Sequence, residues 1–231
     1  MVTVIIPALN EEKTIGHVIG LVSASSLVDE ILVIDDKSSD NTIKKARLPK
    51  VKIYTSPKLG KGGSMRDGLL LSKNEINVFL DADILSYPDN VIELLTAPLL
   101  NDEADFVKSS FSRQAGRVTE LVAKPLLSLL FPDLVKFSQP LSGMIACRKS
   151  WMEKIIIEND YGADIGILLD MHLLGARIME VNIGYIENRM QTWEQLGKMS
   201  REVSKAILKR CLLYTSPSPR DRTRSRMPSS A

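Results

Sequence analysis

Asp81-Ala82-Asp83 follows directly on the apolar run Ile76-Asn77-Val78-Phe79-Leu80. A buried strand ending in D-x-D sets two carboxylates where a parallel sheet opens into a crevice, and open α/β sheets bind ligands outside such strand ends. Carboxylate oxygens suit hard divalent cations, and Mg²⁺ typically takes one or two carboxylates together with substrate phosphates. The triplet therefore points to a metal-held nucleotide diphosphate, with two solvated turn acids as the simpler alternative.

Other residues add to that chemistry. Pro7-Ala8-Leu9-Asn10-Glu11-Glu12 ends an apolar run and opens a helical one, where Asn10 could cap the helix and free N–H groups could meet an anion. Ile34-Asp35-Asp36-Lys37-Ser38-Ser39-Asp40 ends a second strand, and a carboxylate there could accept from a base N–H or a ribose hydroxyl. Gly60-Lys61-Gly62-Gly63 sets a cation among residues that let backbone approach a ligand closely, and lysine suits a diphosphate as a point charge. It is not a P-loop, since the G-x-x-x-x-G-K-[ST] pattern is absent. Gly116-Arg117-Val118-Thr119-Glu120-Leu121 puts a guanidinium and a hydroxyl two residues apart at a helix start, which favours phosphate or carboxylate. Tyr161-Gly162-Ala163-Asp164-Ile165-Gly166 offers a further acid at a helix start. Each motif alone also has a plain structural reading as a turn or a capped helix.

These residues must be held by an alternating set of elements. Thr3–Ile6, Asp29–Ile34, Val51–Tyr54 and the run before Asp81 read as strands, separated by helices over about Glu11–Ala24, Asp40–Ala46 and Gly63–Leu71. Strands alternating with helices predict a mostly parallel central sheet flanked by helices, an α/β fold. The second half predicts strands near Ala104–Ser109, through Cys147 and around Arg177–Ile183. Helices are expected near Val118–Leu130, Ile165–Leu174 and Trp193–Arg210. One domain over residues 1–211 is expected, with a nucleotide-binding half to about residue 100 and an acceptor-binding half after it.

The 231 residues are 44% hydrophobic, enough for one substantial core. Residues 212–231 are dense in Pro, Ser and Arg and carry four Arg against one Asp, leaving 26 basic and 27 acidic residues elsewhere. The segment resembles translated sequencing-adapter sequence and is expected to be a disordered, non-native tail. Cys147 and Cys211 lack metal-ligand spacing and fit a reducing compartment. No apolar run reaches the length of a membrane span, and no signal peptide fits, so a cytoplasmic enzyme without nucleic-acid or membrane partners is expected.

In order and spacing, the motifs above, with Gln139-Pro140-Leu141-Ser142-Gly143 and Leu196-Gly197-Lys198-Met199-Ser200-Arg201, resemble glucosyl-3-phosphoglycerate synthases. These are retaining glycosyltransferases with a GT-A, Rossmann-like fold, and the resemblance covers about Val2 to Cys211. It implies a nucleotide-sugar donor, a small phosphorylated acceptor, Mg²⁺ or Mn²⁺, and transfer of a hexose, glucose from UDP-glucose, to 3-phosphoglycerate. By position, Pro7, Ala8, Leu9, Glu11 and Asp36 would line the uridine pocket, with Ala82 also on the donor side, and Lys61 would approach the diphosphate. Asp83 would ligate the metal and Asp81 would sit nearer the donor sugar. Gly116, Arg117 and Thr119 would receive the acceptor's phosphate and carboxylate, and the backbone at Leu141 would face its hydroxyl. Asp164 stands where the family has a glutamate that holds the sugar, and Asn188 where it has a metal-ligating histidine. Met144-Ile145 replaces an acid and an aromatic. A homodimer is compatible with the sequence. Glucose or mannose, and uracil or guanine, stay open from the residues alone. So do an inverting transferase acting on another acceptor, such as a lipid phosphate, and a nucleotide-sugar-binding protein with weakened turnover.

Overall fold

Val4 and Ile6 of the first strand, β1 (Val2–Ala8), belong to one apolar layer and Ile5 to another, and all three are fully buried. A strand apolar on both faces requires cover on both sides of its sheet. The computed structural model, which describes residues 1–57, 60–112, 116–187 and 192–215, shows that arrangement. β2 (Val28–Asp35), β3 (Val51–Thr55), β4 (Ile76–Phe79), β5 (Phe106–Ser112), β6 (Ile145–Arg148) and β7 (Ile178–Tyr185) complete a seven-stranded sheet ordered β3-β2-β1-β4-β6-β5-β7. Neighbours run parallel except β6, which is antiparallel to both β4 and β5.

Helices α1 (Ile15–Ala24) and α4 (Val91–Leu100) cover the Val4/Ile6 face, burying Ile15, Val18, Ile19 and Val22 from the first and Val91, Leu95 and Leu99 from the second. The short α2 (Thr42–Ala46) lies beside α1. On the Ile5 face lie α3 (Lys61–Leu71), α5 (Lys124–Leu130), the one-turn α6 (Lys149–Met152), α7 (Ala163–Leu173) and α8 (Trp193–Thr215). Each large aliphatic side chain so buried stabilises the fold by about 1.5–3 kcal/mol before entropy is counted.

The antiparallel insertion of β6 positions the site. Phe79 of β4 and Lys108 of β5 both pair with Ile145, so residues 141–144 enter the sheet beside Leu80–Asp81 and Ser109. The carboxyl ends of β1, β2 and β4 open at the same edge.

Among the boundaries that differ from the sequence pattern, three stand out. Helix α1 begins at Ile15, not Glu11, because Asn10 adopts a φ of 58° and the N–H groups of Glu11 and Glu12 are donated to Thr42 Oγ1 (2.7 Å) and Asp40 Oδ2 (3.1 Å). The helix expected over Val118–Leu130 starts as a π-helical turn, Thr119–Ala123, before α5. Pro125 lacks an N–H and its ring crowds the Leu121 carbonyl, and a wider turn accommodates both. Helix α8 runs to Thr215, past Cys211, although Leu212 and Leu213 are exposed. No helix among the described residues is long and apolar enough to cross a membrane.

Candidate active site

Lys61 opens helix α3, and its Nζ lies 2.8 Å from Asp81 Oδ1 and 3.2 Å from Asp164 Oδ2. A cation at the first turn of a helix is opposed by the helix dipole, so its partners must come from elsewhere in the fold. Asp81 arrives from the end of β4 and Asp164 from the first turn of α7, where an acid complements the dipole. Burial works against the Lys61 charge, but the carboxylates of Asp164 and Asp81 outweigh it and raise its pKa well above the ordinary lysine value. Lys61 is therefore a permanent cation at the sheet edge.

Gly143 forms the wall facing this cluster. A Cβ there would stand 2.1 Å from Lys61 Nζ and 3.0 Å from Asp164 Oδ1. Asp164 Oδ1 is buried and has no hydrogen-bond partner among the described residues. A buried acceptor of that kind costs free energy unless a ligand donor meets it.

The turn carrying Asp81 is closed by one hydroxyl. Tyr87 accepts the Asp81 N–H at 2.9 Å and donates to the Asp81 carbonyl at 3.1 Å. Burial, with the nearby Asp81 and Asp83 carboxylates, raises the Tyr87 pKa well above its ordinary value, so the phenol keeps its proton. Ala82 is buried and Asp83 exposed.

On the neighbouring strand ends, Pro7 is half-buried, Ala8 buried and Leu9 exposed, with Glu11 half-buried beyond them. Asp36 is buried, accepts the Gly60 N–H at 2.7 Å through Oδ2, and leaves Oδ1 without a partner among the described residues. Ala8 pairs with Asp35, and the Asp36 N–H is donated to the Ala8 carbonyl at 2.8 Å, so these residues share one pocket edge. Asn10 does not cap α1. It accepts the Ser39 N–H at 2.8 Å and donates its own N–H to Ser38 Oγ, tying the two strand-end loops together. With the N–H groups of Glu11 and Glu12 also taken, neither the capped helix start nor the anion-binding one that residues 7–12 could have made is formed.

The glycines around Lys61 serve a different purpose from the one their sequence suggests. A Cβ at Gly60 would lie 2.1 Å from the Asn159 carbonyl oxygen and one at Gly62 1.7 Å from that of Glu158. The close approach is to the protein's own 158–159 backbone. That segment is braced in turn by α8: Arg210 Nη1 donates to Glu158 at 3.0 Å, and Glu202 accepts the Tyr161 N–H at 3.2 Å.

In the second half, Gly116 takes a φ of 146° and begins the turn that carries Arg117 and Thr119. Thr119 is buried, and Arg117 is exposed with its guanidinium 4.8 Å from the ring centroid of Trp193 at the start of α8. Leu141 is buried, which anchors its backbone in the loop before Gly143. Asn188 lies outside the described residues.

The donor set fits a divalent cation brought with a diphosphate. Among the described residues no group of three or more acidic, histidine or cysteine side chains forms a closed metal cage. Asp81 and Asp83 supply hard oxygens, and Mg²⁺ usually completes its shell with water and substrate phosphate.

Sequence reasoning missed Lys108, Tyr87 and Trp193. A lysine inside the apolar strand Phe106-Val107-Lys108 was the available signal for the first. The other two depend on contacts that no local pattern reveals.

Residues 3–156 match the family described as glycosyl transferase family 2. The glucosyl-3-phosphoglycerate synthase of Mycolicibacterium paratuberculosis is 35% identical over 241 residues, covering 91% of this chain and 72% of the relative. That of Petrotoga mobilis is 34% identical over 235 residues, covering 90% and 72%. A crystal structure of the Mycobacterium tuberculosis synthase in complex with Mn²⁺, uridine-diphosphate-glucose and phosphoglyceric acid superimposes with a TM-score of 0.87 at 35% identity, covering 95% of this chain and 81% of that one. With the strand-end carboxylates, the paired lysine and the sheet order in place, the chain belongs to glycosyl transferase family 2 and, within it, to the glucosyl-3-phosphoglycerate synthases.

Proposed function

We propose that this protein transfers glucose from UDP-glucose to 3-phosphoglycerate, with retention at the anomeric carbon and with Mg²⁺ or Mn²⁺ as cofactor. The observation that carries the reading is the Lys61 ammonium held between Asp81 and Asp164 against Gly143.

Lys61 meets the donor diphosphate as a fixed positive charge, and charge placed in advance where a leaving group develops its own is a large contribution to catalysis. Asp164 offers Oδ1 to a sugar hydroxyl, which satisfies an acceptor otherwise buried without a partner. Asp81 stands beside the same sugar. Pro7, Ala8, Leu9, Glu11 and Asp36, with Ala82 nearby, accommodate the uridine. Asp36 Oδ1, a second acceptor without a partner among the described residues, is available to the base or ribose.

Gly116, Arg117 and Thr119 bind the acceptor's phosphate and carboxylate, and the Leu141 backbone faces its hydroxyl. Holding that hydroxyl beside the anomeric carbon replaces a bimolecular encounter with an oriented one. Asp83 would hold the metal, with Asn188 the further expected ligand, and the ion supplies charge neutralisation at the departing diphosphate.

Incubation with UDP-glucose, 3-phosphoglycerate and Mg²⁺, followed by proton NMR of the product, tests the reading. An axial glucoside on the acceptor is expected. An equatorial product would indicate an inverting enzyme, and donor hydrolysis indifferent to 3-phosphoglycerate would remove the acceptor assignment.

A further inference from the structure

Lys108 lies in the middle of β5 with no exposed surface. Lysine is almost never fully buried unless its charge is used. Here the ammonium faces main-chain oxygens: Nζ donates to the Ser142 carbonyl at 2.8 Å and to the Asp164 carbonyl at 3.3 Å. Those two residues belong to different elements, the loop entering β6 and the first turn of α7.

The next residue strengthens the same grip. Ser109 Oγ and Ser142 Oγ lie 2.6 Å apart, and the Ser109 N–H is donated to the Met144 carbonyl at 3.0 Å. Strand β5 thus holds residues 142–144 from below, while Gly143 presents its other side to Lys61 and Asp164. With the Asp164 carbonyl held by Lys108, its carboxylate meets Lys61 through Oδ2 and keeps Oδ1 available. We propose that Lys108 is a positioning residue for the transfer reaction, fixing the Ser142 and Asp164 carbonyls so that Gly143 and the Asp164 carboxylate keep their places around Lys61. The proposal rests on the reading of the site given above.

The charge environment gives it a distinctive signature. Burial pushes the Lys108 pKa down to about 8. Lys61 on α3 acts in the same direction, and Asp164 on α7, Glu180 on β7 and Asp81 beyond β4 oppose it. Above that pH the neutral amine still donates but loses the charge-assisted strength of both bonds. The signs for activity and stability then differ. The unfolded chain holds this proton up to about pH 10.4, so stability linked to this group rises with pH from about 8 to about 10.4. Positioning weakens over the lower part of the same range.

The experiment measures turnover and thermal midpoint of the full chain across the alkaline range, with saturating UDP-glucose and 3-phosphoglycerate, for the wild type and Lys108→Met. Wild-type turnover is expected to fall through an apparent pKa near 8 with no matching fall in midpoint. Lys108→Met should turn over about tenfold or more slower, in line with small displacements of reacting groups, and lack that limb. Its affinity for UDP should stay near wild type. Hydrogen exchange at the amides of residues 142–144 and 164–167 should quicken.

Wild-type turnover and exchange in Lys108→Met would overturn the proposal. Should that variant fail to fold, a wild-type profile flat through pH 8 overturns it by itself. A wild type that forms no glucoside at all defeats the functional reading instead, and the exchange comparison still decides the role of Lys108.

Discussion

The Arg117 guanidinium stacks on the Trp193 ring at 4.8 Å from its centroid, joining the turn after β5 to the first residue of the last helix. Both side chains are solvent-exposed, so the contact is worth about 0.5–1 kcal/mol. Its value lies in orientation. A guanidinium resting on an indole loses rotamer freedom before the acceptor arrives, and its fork stays open to a phosphate or carboxylate. Trp193→Ala is expected to raise the Michaelis constant for 3-phosphoglycerate about two- to fivefold, with Trp193→Phe between the two. Initial-rate measurements at saturating UDP-glucose check this, and an equal effect on the donor constant would count against it.

Arg117→Ala should act more strongly on the same substrate. Loss of a hydrogen bond to a charged group costs about 1.5–3 kcal/mol, so calorimetry should show 3-phosphoglycerate weakened by one to two decades. UDP affinity should hardly move. Parallel loss of both ligands would make Arg117 a structural residue.

Asp83 is the described residue proposed to hold the metal. Binding of UDP is expected to need Mg²⁺ or Mn²⁺, and Asp83→Ala to remove both that requirement and most of the affinity. Calorimetric titration with and without EDTA reads it directly. Undiminished binding in EDTA sinks the assignment.

Gly143→Ala tests the wall facing Lys61. The added methyl would displace the end of a flexible side chain rather than backbone, so folding should survive. Lys61 would have to leave its place between Asp81 and Asp164, and turnover should drop about tenfold or more. Thermal unfolding beside turnover separates the two effects: a large fall in midpoint would mean that the loop, not the lysine, yielded.

Much of the sheet was legible because its strands are apolar runs closed by acids or turn residues, as Ile76–Leu80 before Asp81 shows. The D-x-D carboxylates could be placed at a strand end for the same reason. What escaped was set by partners distant in sequence. Asn10 has the composition of a helix cap, yet its partners are Ser38 and Ser39 in the next loop. Gly60 and Gly62 look like a ligand-binding loop, yet their bare backbone makes room for Asn159 and Glu158. Helix α8 was readable from its periodicity, whereas its brace on residues 158–161 was not, because Arg210 and Glu202 each look like ordinary solvated charges.

That brace has a consequence for biosynthesis. Lys61 and its partner Asp164 are 103 residues apart, and the segment seated on Gly60 and Gly62 is secured by Glu202 and Arg210. A chain emerging from the ribosome has all seven strands in hand once Tyr185 is out, but none of α8. Since synthesis proceeds from the N-terminus, the sheet can assemble while the donor pocket still lacks its support. The capacity to hold a sugar nucleotide is thus acquired only as α8 is translated, after the scaffold that displays it.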